Sequence, residues 1–444
     1  MLRPAIVVCA LLSAALCGSA AFGAGFALFE QSASGSGNAY AGAGALAEDA
    51  STLYWNPAGM AKLPAGSQFA AAAHYIAPSF KFTDGGSAPA INRSDFGGTG
   101  GDAGRSAWVP AGFFATDLSP AAKLGVAINA PFGLRSEYNP NWLGRFQGIR
   151  SEIETINVNP SVSWKLSERA AVGFGLDYQT GKISLLTGVN YKGFVAGTPL
   201  DPAVPANAEG QNQTDVDGDA WGYNLGALWD LGAGTRLGIA YRSSLKYHLS
   251  GTTRFSNVPA SFALSPMLAA GTADGNVNLS VKTPDNASVS VASRAGERWT
   301  LLGTVMWTGW GKLQALPLVR DTGATVDTFV FNFKDTMTYI VGANYQRSAA
   351  WTLRTGLAFD RSPVADAESR SVRLPDSDRT RFSVGGGYHS HAGTLDVSYS
   401  YVWFKDATIN NAQNNPAAGQ VNGNVVGTYK SSAQVVGVQY SYLF

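Results

Sequence analysis

The sequence is poor in the groups that most enzymes and metalloproteins depend on. Its two cysteines, Cys9 and Cys17, both stand near the start, so the rest of the chain holds neither a disulfide nor a thiolate metal site. Four histidines are present, His74, His248, His389 and His391. They form no metal set and no Ser/His/Asp grouping, and each reads as an interfacial polar residue. No catalytic residue, metal or cofactor is expected. Charged residues make up 14% of the chain, against roughly 25% in ordinary soluble domains. Lys+Arg 32 against Asp+Glu 31 leaves a net charge of +1, which offers no field for nucleic acid. Past Gly23 no apolar run approaches the ~18 residues that mark a membrane-spanning helix.

What is present begins with an export signal. Met1-Leu2-Arg3 is followed by an apolar run from Ala5 to Leu16 and then by small residues to Gly23, the charged, hydrophobic and cleavage regions of a signal peptide. Residues 1–23 are therefore expected to be removed before Ala24. A lipoprotein reading through Cys17 is disfavoured by the bulk of Leu16. The chain is exported yet carries no helical anchor.

Alternation supplies the missing anchor. Val436, Val438, Tyr440, Tyr442 and Phe444 fall on one face of the last segment, with Gly437, Gln439 and Ser441 on the other. Trp351, Leu353, Leu357 and Phe359 oppose Thr352, Arg354, Gly356 and Asp360; Leu395, Val397, Tyr399, Tyr401 and Trp403 oppose Asp396, Ser398 and Ser400. A soluble sandwich would bury mainly Val, Ile and Leu. Tyr and Trp near strand ends instead fit lipid-facing girdles. Six tight turns, at 117–120, 165–168, 230–234, 294–297, 347–349 and 390–393, alternate with seven long polar loops, including 187–219 and 311–334. Thirteen connections give about fourteen strands, an even number with short periplasmic turns and long outer loops.

A barrel of that size leaves a lumen its own side chains cannot fill. The segment 24–66 is glycine-rich and lacks alternation, with Gly37-Asn38-Ala39-Tyr40-Ala41-Gly42 followed by Asn56-Pro57-Ala58, so it is the natural plug. The fold class is an all-β transmembrane antiparallel barrel, residues 67–444, around an N-terminal hatch.

With these residues in order, the chain resembles the FadL family of outer-membrane transporters for long-chain fatty acids and, in some members, monoaromatic hydrocarbons. The likeness runs from Ala24-Gly25-Phe26 through Glu48-Asp49-Ala50 and the hatch signature Asn56-Pro57-Ala58. It continues through Ala107-Trp108-Val109-Pro110, Phe333-Lys334-Asp335, Phe359-Asp360-Arg361-Ser362-Pro363-Val364 and Leu374-Pro375-Asp376-Ser377-Asp378-Arg379. It implies passive uptake across the bacterial outer membrane, with a hydrophobic ligand leaving sideways through a break in the third strand, next to the Asn-Pro-Ala segment. That strand holds Asn129, Pro131, Phe132 and Gly133; Pro131 cannot donate to a ladder and Gly133 permits a bend, so the residues themselves favour a defect there, of which an ordinary bulge is the plainer form.

The ligand-contacting residues implied are Phe26 at the N-terminus and Phe255, Phe262, Leu264, Met267 and Leu268 in an unusually apolar outer loop. Such a patch is costly in water unless it packs or binds. Family members that hold fatty acids use basic side chains near the fifth strand and before the tenth. The positions here are Thr187 or Leu185 and Phe329 or Val330, none basic, with Lys182, Lys192 and Lys334 nearby. Burying a carboxylate without a partner costs several kcal/mol, which favours a neutral ligand or a different anchor. Asp376, Asp378 and Arg379 read as a salt-bridged loop. Expected partners are the hydrophobic ligand, outer-membrane lipid with lipopolysaccharide, and the barrel-assembly machinery, with the chain a monomer. A surface barrel that binds hydrophobic ligands or adheres without transport is the alternative, and an unselective polar porin the third reading.

The terminal aromatic resembles the signal that the assembly machinery reads. Phe444→Ser, or deletion of Phe444, is expected to lower the fraction of protein that folds to a heat-modifiable form on unboiled gels; an unchanged folded fraction would count against this role.

Overall fold

The computed structural model describes residues 25–93, 96–412 and 421–444. The export signal, its cleavage point and both cysteines lie outside them. Fourteen antiparallel strands form the barrel. They are β1 (Gln68–Asp84), β2 (Ala107–Ser119), β3 (Ala122–Asn129, resuming at Gly133–Glu137), β4 (Arg150–Lys165), β5 (Ala170–Asn190), β6 (Glu209–Gly232) and β7 (Thr235–Arg242, Lys246–Phe255). They continue as β8 (Gly275–Lys282, Asn286–Ala295), β9 (Trp299–Thr308, Ala315–Arg320), β10 (Thr325–Val330, Thr336–Ser348), β11 (Trp351–Asp360), β12 (Arg379–Ser390), β13 (Gly393–Phe404, Ala407–Asn411) and β14 (Val425–Leu443). β14 pairs with β1 from Gln68↔Leu443 to Asp84↔Gly427, which closes the sheet. Closure leaves no edge, as a sheet in hydrocarbon requires.

The alternation read from the sequence holds. Val436, Val438, Tyr440 and Tyr442 are exposed on the outer wall, while Val435 and Gln439 are buried. All six tight turns fall between strands, at one end of the barrel. Three expectations need correction. The segment 187–219 is not wholly loop, because β5 and β6 stay paired to Asn190↔Glu209. Their outward positions there are polar, as at Asp215, Asp217 and Asp219, so the hydrophobic pattern stops at the membrane although the ladder continues. The segment 311–334 likewise contains a hairpin, Ala315↔Val330 to Val319↔Thr325. His74 is fully buried on the luminal side of β1 and is not interfacial, since the strand's parity sends Tyr75 outward.

The segment ahead of β1 packs inside the barrel as four short helical turns, Ala33–Gly37, Ala43–Leu46, Thr52–Trp55 and Pro57–Lys62. Luminal glycines let its backbone touch the wall. A Cβ at Gly226 would come within 1.9 Å of the Asn56 Oδ1, one at Gly238 within 2.0 Å of the Gly44 carbonyl oxygen, and one at Gly356 within 2.0 Å of the Asn38 carbonyl oxygen. Charge pins the same segment. Arg381 pairs with the fully buried Glu30, and Arg354 bridges Glu48 at 3.2 Å and Asp396 at 2.6 Å. A buried ion pair holds position because removing either partner strands the other charge, at about 3–5 kcal/mol.

Gly226→Val is therefore expected to displace Asn56 and destabilise the barrel by about 1–3 kcal/mol or more, lowering the temperature at which its compact gel migration is lost. Gly112→Val, where nothing lies within 4 Å of the added Cβ, is expected to leave that temperature in place.

Candidate functional site

The ladder between β2 and β3 is interrupted. β2 pairs with β3 only from Ser119↔Ala122 to Gly112↔Ile128. Above that, Ala107–Ala111 has β1 as its ladder partner, and the upper piece of β3 pairs with β4 alone. The two edges meet again at a Gly104↔Ser136 bridge and a Glu137 N–H to Ala103 carbonyl bond of 2.9 Å. Between these points β2 and β3 share no ladder pair, a gap in the hydrogen bonding of the wall level with the exposed Trp108 and backed by the buried Ala130 and Phe132.

Its cause is one extra residue. Asn129 pairs with Asn157 and Gly133 with Glu154, so four steps along β3 face three along β4. This is a bulge, and it flips the side-chain parity of the strand. The Thr155 hydroxyl donates to the Phe132 carbonyl at 2.6 Å, and its oxygen accepts the Phe132 N–H at 3.0 Å. On the luminal side the N-terminal segment completes the edge: Leu28 N–H donates to the Pro131 carbonyl at 2.8 Å, and Gly133 N–H to the Phe26 carbonyl at 2.9 Å. The Gln31 amide donates to the Ala130 carbonyl at 3.1 Å.

Asn56, Pro57 and Ala58 sit elsewhere on the wall. The Asn56 side chain donates to the Gly44 carbonyl at 2.7 Å and the Ala227 carbonyl at 3.1 Å and accepts the Ala58 N–H at 3.0 Å, which seats the signature against β6 and β7. Phe26 to Leu28 and Gln31 make the backbone bridge and hydrogen bonds to the β3 edge, and Pro57 faces the lower cavity beside Pro131 and Phe132. A buried polar chain links the two places: Asn129, Asn157 (3.1 Å), Asp177 (2.9 Å), Arg242, and the Tyr54 carbonyl at 2.9 Å from Arg242.

Two cavities adjoin the gap. The upper one, about 840 Å³ counting the open space at its mouth, is bounded by Phe26, Phe132, Leu134, Ile153, Leu249, Leu279, Val281 and Phe331. Arg373 reaches it from the loop after β11. The lower one, about 760 Å³, is bounded by Phe29, Trp55, Pro57, Pro131 and Phe132 together with Asn224, Arg242, Asn286, Thr338 and Asp360. Three rings stand between them. Phe26 lies 5.7 Å from Phe132 and 4.9 Å from Trp310, and Phe132 lies 6.5 Å from Trp310. Trp310, in the break of β9, is a site residue that sequence reasoning missed.

Of the implied ligand contacts, Phe26 lines the upper cavity. Phe262 is buried in a small loop core 5.5 Å from Tyr191, with Phe255 and Leu268 packed against that core. Leu264 and Met267 are 75% and 78% exposed at the outer surface. None of these five loop residues borders the cavity.

Residues 14–444 match the family described as outer membrane protein transport protein (OMPP1/FadL/TodX). The chain is 31% identical over 408 residues to the long-chain fatty acid transport protein of Salmonella typhi, covering 90% of this chain and 92% of that protein. It is 30% identical over 419 residues to the protein of the same name from Escherichia coli strain K12, with coverage of 90% and 92%. A Pseudomonas aeruginosa FadL homologue superposes with a TM-score of 0.87 at 26% identity, covering 95% of this chain and all (100%) of that one. The Pseudomonas putida toluene transporter TodX shares the fold, with a TM-score of 0.69 at 16% identity, covering 96% of this chain and 99% of that one.

Thr155→Val removes both bonds to Phe132 and leaves the Gly133 bond to Phe26 in place. Hydrogen exchange should speed at the Phe132 amide, by one to two orders of magnitude for a bond of about 1–3 kcal/mol, and change little at Gly133.

Proposed function

The chain belongs to the OMPP1/FadL/TodX family of outer-membrane transport proteins, and from that premise we propose that a hydrophobic molecule occupies the upper cavity and leaves sideways through the β2–β3 window. The protein takes up hydrophobic small molecules across the outer membrane. Its relatives are named for long-chain fatty acids and its structural neighbours for toluene, and both classes enter the proposal as ligands.

The window carries the reading. Backbone groups left without partners in hydrocarbon cost several kcal/mol each, so a gap kept in the wall and lined by hatch residues is difficult to explain as packing alone. A hydrophobic ligand that reaches Phe132 stands beside lipid, and it gains nothing by entering periplasmic water. In this reading residues 1–23 direct export, 24–66 act as the hatch and 67–444 as the conduit. Lipopolysaccharide surrounds the outer wall, the assembly machinery reads the strand ending at Phe444, and the chain works as a monomer. Binding or adhesion without passage is the alternative reading, and it leaves the window without a use.

Deleting Pro131 removes the extra residue and lets β3 run in one register from Asn129 to Gly133. Uptake of a radiolabelled long-chain fatty acid or of toluene by cells should fall several-fold at an unchanged surface level of the protein. Uptake at the parental rate would place the exit elsewhere.

A further inference from the structure

Arg373 is out of place in the upper cavity. The cavity is otherwise bounded almost wholly by aliphatic and aromatic groups, and Arg373 is only 8% exposed. No carboxylate pairs with it among the described residues. Its guanidinium donates to neutral acceptors: the Arg150 carbonyl at 3.3 Å and the Ser151 hydroxyl at 3.0 Å from Nη1, and the Thr187 hydroxyl from Nη2. Asp327 acts on it through space, and the cation lies 5.5 Å from the Phe329 ring centroid. A guanidinium has five N–H donors. Three are used, so Nε–H and one Nη2–H are left without an acceptor. Burial draws its pKa down to about 10, so it stays charged at neutral pH. A buried cation whose direct hydrogen-bond partners are all neutral is only partly compensated by a carboxylate acting at a distance. An anion entering the cavity would complete that compensation, and an uncharged hydrocarbon would not.

Resting on the reading that the upper cavity holds the ligand, we propose that Arg373 is the specificity-determining residue. It takes the carboxylate of a single-tailed amphiphile through its unused N–H donors while the tail lies along Phe132, Leu134 and Ile153. The fork geometry of arginine suits a carboxylate. Of the alternatives where a basic side chain was looked for, Thr187 or Leu185 and Phe329 or Val330, Thr187 and Phe329 are in contact with this guanidinium. Lys182 also borders the cavity but is solvent-exposed, with Asp217 opposite it on β6.

The test uses the full chain in detergent with two probes of equal length, oleate and oleyl alcohol, at neutral pH, with binding read by quenching of tryptophan fluorescence. The parental protein should prefer oleate, and Arg373→Leu should weaken oleate by about 10–100-fold, the worth of a charge-assisted bond, while leaving oleyl alcohol within about twofold. Arg373→Lys keeps the charge and should retain part of the preference; it also serves if the leucine variant fails to show heat-modifiable migration. Equal binding of both probes by the parental protein, or loss of the preference in Lys182→Met with Arg373→Leu unaffected, would overturn the assignment and leave the transport reading standing. If neither probe binds, the reading of the cavity as a ligand site falls, and this assignment with it.

Discussion

Hydrocarbon offers no partner to an N–H or a carbonyl, and that constraint organises this molecule. Closure of β14 on β1 meets it for the wall as a whole. Each interruption then has to meet it locally. Where β7 and β8 break, the register is kept, with Arg242↔Asn286 below and Lys246↔Lys282 above. The hydroxyls of Thr283 and Ser243 accept the N–H groups of Leu245 and Tyr223, each at 2.9 Å. Where β9 breaks, Gly309 N–H finds the Asp285 carbonyl at 2.9 Å. At β3 the wall has no such reserve on the β2 side, and the partners come from Phe26, Leu28 and Gln31. The hatch is thus part of the hydrogen-bonding of the barrel as well as its filling.

Attachment of the hatch is uneven along its length. From Glu30 onward it is held by charged groups: buried Glu30 to Arg381, the exposed Glu48 to buried Arg354, and the Leu46 and Tyr54 carbonyls to half-buried Arg236 and buried Arg242. Ahead of Glu30, the contacts are backbone bonds at the β3 edge, ring contacts of Phe26 and of Phe29 (5.8 Å from Trp55), and a 3.1 Å bond from Gly25 N–H to the buried Asp376 carboxylate. Neutral hydrogen bonds contribute about 1 kcal/mol each, whereas breaking a buried pair costs several. Ahead of Glu30 the segment is held by hydrogen bonds and ring packing, with no ion pair among the described residues.

Much of this was legible in the sequence, because strand parity and turn chemistry are local. Val436 to Tyr442 announced their lipid-facing side, and Pro131 beside Gly133 announced a defect. The salt-bridged reading of Asp376 and Arg379 holds at 2.6 Å. What stayed hidden depends on which distant strands come together. Trp310 reaches Phe26 and Phe132 across the lumen only because β9 breaks at Gly309, and no local pattern marks that break. The seat of Asn56 is set by Gly226 and Gly238, far along the chain. Arg373 stands in a loop whose visible chemistry is ionic, and its place against Thr187 and Phe329 follows from how that loop folds over the barrel mouth.

The polarity of the two cavities bears on direction. Below the Phe26, Phe132 and Trp310 rings, the lower chamber presents Asn224, Arg242, Asn286, Thr338 and Asp360, several of them already joined in buried ion pairs and hydrogen bonds. An alkyl chain or aromatic ring pushed downward would strip water from these groups without offering them partners, at a cost of the order of 1–3 kcal/mol for each group left unsatisfied. The same chain moving sideways past Phe132 exchanges one apolar surrounding for another, at almost no cost in transfer free energy. In the proposed lateral route, any preference for sideways exit would come from the polar side chains beneath the rings as much as from the gap beside them.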